Sequence, residues 1–106
     1  MVVWLGTPSQ AGTKLELVPI GTFDSGVGEG GSEIAKYDGW TRQMFVTNGA
    51  EDRIDVVDVR NPADMKLVRT IDLTEFGPSI TSVDVIRGLG VATVVGSPAT
   101  EPGTAV

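Results

Sequence analysis

Short apolar runs recur along this chain, each closed by a turn residue, and none keeps a 3.6-residue period long enough for a convincing helix. Leu15-Glu16-Leu17-Val18-Pro19-Ile20 begins as an alternating strand, and Pro19 marks its edge or its end. Glu33 to Tyr37 predicts a second strand, closed by the turn pair Asp38-Gly39. Gln43 to Thr47 predicts a third, ended by Asn48-Gly49. Arg53 to Val59, with Ile54, Val56, Val57 and Val59 as its apolar content, predicts a fourth, which Asn61-Pro62 breaks. Lys66 to Leu73 follows, then a loop holding Gly77-Pro78. Thr81 to Ile86 and Gly90 to Val95 form a hairpin-like pair about Arg87-Gly88. The best helical window, Pro62 to Arg69, is short, and Lys66-Leu67-Val68 continues better as a strand. Frequent Val, Ile and Thr favour pleated structure. The short loops favour antiparallel pairing, because parallel crossovers need about a dozen residues or more.

Spacing adds a second layer. Ile34, Gly39, Phe45 and Val46 are matched 49 residues later by Val83, Gly88, Val94 and Val95. Each set reads as strand, glycine turn and strand. A four-stranded propeller blade takes about 40–50 residues. The predicted fold is therefore all-β: one antiparallel four-stranded blade over residues 33–73, with 15–20 as the outer strand of a preceding blade and 81–95 as the start of the next. Together residues 1–106 make a single partial β-propeller unit. Ser97 to Thr104 is turn-like and Ala105-Val106 begins another segment, which fits either a flexible natural tail or a chain cut within a repeating fold.

Phe45-Val46-Thr47-Asn48-Gly49, followed by Arg53-Ile54-Asp55-Val56-Val57-Asp58-Val59, resembles the YVTN-type β-propeller repeat. A longer series is similar to a narrower group, the bacterial choice-of-anchor I and alkaline-phosphatase-like propeller proteins. Its phrases are Gly21-Thr22-Phe23, Glu33-Ile34, Tyr37-Asp38, Phe45 to Gly49, Ile54-Asp55-Val56, Asn61-Pro62-Ala63 and Thr70-Ile71-Asp72-Leu73, extended by Ser82-Val83 and Glu101-Pro102-Gly103. The likeness spans roughly residues 15 to 104. It implies a secreted or cell-surface propeller of several blades, often labelled phosphatase-like, and it carries no active-site residue onto this segment. Two departures stand out. The loop Ser25 to Gly31 is richer in glycine than the family form, and Thr47 stands where the narrower group has a second valine.

Composition narrows the chemistry. The chain has 106 residues, 41% hydrophobic and 21% charged, which suits one small folded domain. With 8 basic and 14 acidic residues the net charge is -6, evenly shared between the halves, so no nucleic-acid surface is expected. The absence of cysteine removes disulfides and thiol chemistry, and the absence of histidine removes a Ser-His-Asp triad and a His-based zinc site. Met1 to Leu5 is too short an apolar run for a signal peptide, and no run reaches the roughly 18–20 apolar residues of a membrane helix, so no membrane insertion is expected.

Candidate chemistry is sparse. Gly26, Gly28 and Gly31 formally fit G-x-G-x-x-G, but no crossover helix follows, so a connecting loop is expected rather than a dinucleotide site. Asp55 and Asp58 lie three apart on one strand and face opposite ways. Asp24, Glu29, Glu33 and Asp52 are the acids available for loops to gather around calcium or magnesium, although their spacing matches no calcium loop; turn capping is the plainer role. Glu33 and Asp72 border apolar runs and are expected to accept backbone N–H bonds between neighbouring blades. Asp55, if buried, needs a partner such as Arg42 or Arg53. Phe45 and Tyr37 are expected to pack between sheets, and Trp40 is a candidate exposed contact for a protein or a sugar. Ser25, Ser32, Ser79, Ser82 and Ser97 lack a histidine to activate them.

The expected function is thus a non-catalytic propeller fragment acting as a structural or interaction module. No catalytic or cofactor-binding residue is assigned, the metal-ligand set is unknown, and no cofactor is expected beyond an occasional divalent metal such as calcium. The alternative is a metal-dependent phosphoester hydrolase fragment, which needs metal ligands or a positive clamp drawn from Lys14, Lys36, Lys66 and the arginines. Open sheet edges predict self-association and leave room for another protein partner.

Overall fold

The computed structural model describes residues 2–8, 15–98 and 100–106, and within β1 its backbone only. All regular structure among these residues is strand: β1 (Val2–Pro8), β2 (Leu15–Thr22), β3 (Ala35–Asp38), β4 (Gln43–Asn48), β5 (Arg53–Asp58), β6 (Lys66–Asp72), β7 (Ile80–Ile86), β8 (Leu89–Val94) and β9 (Thr104–Ala105). Every pairing is antiparallel. The strands form three sheets in chain order: β1-β2, then β3-β4-β5-β6, then β7-β8-β9. The fold is all-β.

Local chemistry accounts for these elements. In β4 and β5 the partners Phe45↔Val56 and Thr47↔Ile54 share one face, and Val46↔Asp55 and Met44↔Val57 share the other. Phe45, Ile54 and Val56 join Leu73, Ile80, Val83, Ala92 and Val94 in a core between the second and third sheets. The opposite face is buried too, with Val46, Val57, Asn48 and Asp55 all at 1% exposure or less. Burial on both faces explains why this stretch carries consecutive apolar residues rather than strict alternation. In β6 the extra residue Val68 bulges between the pairs Val56↔Arg69 and Val57↔Leu67, which is why its pattern does not alternate cleanly.

Two strands were not legible in the pattern. Val2–Pro8 is a full strand paired with β2, although Met1 to Leu5 reads only as a short apolar run. Thr104–Ala105 pairs with the end of β8, and Val106 continues the ladder by exchanging N–H and carbonyl bonds with Ala92. Pro19 lies inside β2 rather than ending it, opposite Trp4, with a bulge at Ile20. Its position on a two-stranded ribbon is one an edge proline tolerates. The β3–β4 ladder also runs past its strand ends, because Thr47 donates its N–H to Ile34 O at 2.8 Å and Glu33 donates to Thr47 O at 3.1 Å.

The 49-residue spacing holds for the first strand of each hairpin and fails for the second. β3 and β4 are joined by residues 39–42, whereas β7 and β8 are joined by Arg87-Gly88 alone. Ile34 therefore sits across from Thr47, but Val83 pairs with Ala92, so Val94 and Val95 are not the register equivalents of Phe45 and Val46. Arg87 has φ 49° and Gly88 φ 80°, the paired positive values of a type I′ turn, and glycine meets the second at no steric cost.

Candidate functional site

The most densely bonded polar group joins two sheets. Asp38 ends β3 and is buried, at 3% exposure. Its Oδ1 accepts the N–H of Trp40 at 3.2 Å and that of Arg87 at 3.0 Å. Its Oδ2 accepts the Thr41 hydroxyl at 2.9 Å and the Gly88 N–H at 2.6 Å. One carboxylate thus caps its own turn and clamps the tip of the β7–β8 hairpin. Burial pushes the Asp38 carboxyl up, but the Thr41 hydroxyl and the three backbone N–H groups outweigh it and hold it below its ordinary value. In the sequence, Asp38-Gly39 reads only as a turn pair; the inter-sheet role was expected of Glu33 and Asp72.

Those two acids act elsewhere. Asp72 accepts both the N–H and the hydroxyl of Thr74, at 2.9 and 2.7 Å, within its own loop. These bonds lower its carboxyl against a smaller opposing effect of burial. The Glu33 carboxylate lies over Gly49, where a Cβ would meet it at 2.7 Å. Turn capping, the plainer role anticipated for the acids, is what Asp24 and Asp58 perform: they accept the N–H groups of Gly26 and Arg60.

Asp55 is 1% exposed and is partnered as its burial demands. Arg53 Nε donates to Asp55 Oδ1 at 2.8 Å and Asn48 Nδ2 donates to Oδ2 at 3.4 Å. Of the two cations proposed from sequence, Arg53 is the partner. Arg53 also pairs with Glu51. Burial alone would lower the Arg53 guanidinium, and the two carboxylates reverse that and raise it. Asn48 Oδ1 and Asp52 Oδ1 are buried without a hydrogen-bond partner in the structure.

Among the described residues, no group of three or more acidic side chains, Asp24, Glu29, Glu33 and Asp52 included, converges as a cation site. The glycine-rich segment is a loop: Gly31 N–H bonds Gly28 O, and Ala50 N–H bonds Gly30 O, with no helix beginning there. An open groove of about 820 Å³ is lined by Asp52, Thr74, Glu75, Phe76 and Glu101 among others. Its carboxylates give it a negative lining, and the Thr74 hydroxyl there donates to Asp72. Lys14, one arm of the clamp considered for phosphoester chemistry, lies outside the described residues.

Exposed apolar groups are more prominent than polar chemistry. Trp40 is 76% exposed, as its place after a turn predicted. Tyr37 is 56% exposed, contrary to the expectation that it packs between sheets. It sits opposite Met44, on the face of β3 away from Phe45 and the core. Leu15 and Leu17 on β2 are exposed at 69% and 58%, and β1 pairs through one edge only. Among the described residues no helix is long and apolar enough to cross a membrane. No family model matches the chain, and no curated protein or solved structure matches it.

Proposed function

We propose that this chain is a non-catalytic scaffold of propeller-type blades that works by contact between protein surfaces, self-association foremost. The observation that carries this reading is the contrast between the middle of the sheet series and its ends. The central strands β4 and β5 of the second sheet are buried on both faces, whereas the sheets at either end expose apolar side chains, Leu15 and Leu17 on β2 and Ile86, Leu89 and Val91 on β7–β8, and one edge of β1 is unpaired among the described residues. An isolated two-stranded ribbon is marginal in water, and an open edge of seven residues is a template for another strand. The propeller reading draws support from the four-stranded meander formed by the very phrases that resemble the YVTN-type repeat, from the sheet-on-sheet order along the chain, and from the Asp38 clamp between successive hairpins. On that resemblance the parent is a secreted or cell-surface protein.

Light scattering over a concentration series tests this function. The expected result is a mass that rises above 11.1 kDa with concentration. A monodisperse monomer throughout overturns self-association. A divalent-metal titration coupled to a phosphoester assay tests the non-catalytic part: saturable binding with chelator-sensitive turnover overturns it.

A further inference from the structure

The β7–β8 hairpin has two faces with different fates. Val83, Val85 and Ala92 point toward the second sheet and the core. Alternation puts Asp84, Ile86, Leu89 and Val91 on the other face, where Ile86 is 68% exposed, Leu89 74% and Val91 47%. These residues line a shallow groove of about 350 Å³. Three aliphatic side chains together on a flat hairpin are unusual for a free surface and mark a contact face.

Charge narrows the occupant. The chain carries a net -6, so most of its surface repels a second copy. The β7–β8 face is different: its one acid is Asp84, and the base Arg87 stands at its tip, so the patch is close to neutral. Two copies placed face to face about a two-fold axis bury Ile86, Leu89 and Val91 against their counterparts. The same arrangement brings Asp84 of each copy toward Arg87 of the other. Such isologous pairing is the commonest closed arrangement of identical chains, and the other face of this hairpin already packs sheet on sheet. We infer that the outer face of β7–β8, centred on Ile86, Leu89 and Val91, is the docking surface for a second copy of this chain. The inference rests on the self-association proposed above and specifies where it occurs.

Sedimentation equilibrium on the full chain tests it. The double variant Ile86→Lys/Leu89→Lys changes only exposed positions and is expected to raise the dimer dissociation constant by at least about tenfold, with the circular dichroism spectrum unchanged. Asp84→Arg and Arg87→Asp are each expected to weaken the dimer, and the two combined to restore it, because the swap re-creates opposite charges across the axis. Aspartate tolerates the positive φ at position 87. Should the lysine variant misfold, the charge swap decides. Leu15→Lys/Leu17→Lys on the N-terminal ribbon is expected to leave the dimer intact. Dissociation by the ribbon variant but not by the β7–β8 variant, or failure of the combined swap to recover, overturns this docking face while self-association stands. A wild-type chain that stays monomeric overturns both.

Discussion

Asp38 shows how much one side chain does here. Four hydrogen bonds converge on its carboxylate, and two of them come from a hairpin about 50 residues away. These bonds favour the charged form, so the folded pKa lies below the unfolded one. The linked stability is then full above the unfolded value and is lost as pH falls through the folded value. Thermal melts from neutral pH into the acid range are expected to show wild type losing its advantage over Asp38→Asn only at the acid end. An advantage that stays constant with pH removes the carboxylate from this role. Arg53 makes a second case, because Asp55 is fully buried and depends on it. Arg53→Met leaves that charge with only the long Asn48 bond and is expected to cost about 3 kcal/mol in urea unfolding. The need of Asp55 for a cation was legible from sequence, because a carboxylate within an apolar strand demands a partner, but the structure chose Arg53 over Arg42. Asp38 was not, since its distant donors are backbone N–H groups that any residue carries. Thr47 belongs with Asp38. Its hydroxyl accepts the Ile34 N–H at 3.0 Å and extends the β3–β4 ladder.

At the scale of elements, turn chemistry located most of the strands. Asp38-Gly39 and Asn48-Gly49 mark the ends of β3 and β4, and Asn61-Pro62 and Arg87-Gly88 fall between strands, as expected. β1 escaped because a strand at the chain start has only one flanking turn to reveal it. The failure of the 49-residue match in the second strands has an equally local cause, the different lengths of two hairpin turns. Between elements, close backbone approach matters more than side-chain type. A Cβ at Gly21, near the end of β2, would overlap the Pro62 carbonyl in the β5–β6 loop. Gly21→Ala is expected to cost about 1–3 kcal/mol as overpacking and to act locally. Hydrogen exchange should quicken in Leu15–Thr22 while β4 and β5 keep their protection; uniform loss across all sheets would refute a local role.

For the whole molecule, the decisive fact is the order of sheets. Two, four and three strands follow one another, and the shared core lies between the second and third sheets. Each added sheet buries one face and exposes another, so a series of this kind always carries unsatisfied surfaces at its ends. That is the physical reason behind the proposal of association. Among the described residues, Asp24, Asp58 and Asp72 cap turns, Asp55 pairs with Arg53, and Asp38 clamps two sheets.

Local sequence alone determined the all-β class, the antiparallel pairing and most turn positions, because strand period and turn geometry depend on near neighbours. It also excluded histidine and cysteine chemistry outright. The tertiary structure decided which face of each hairpin is covered, that Tyr37 points away from the core, and that Asp38 rather than Glu33 or Asp72 holds two sheets together. Those outcomes follow from how twisted sheets stack and which turns that stacking brings into contact, and no short window of residues contains that information.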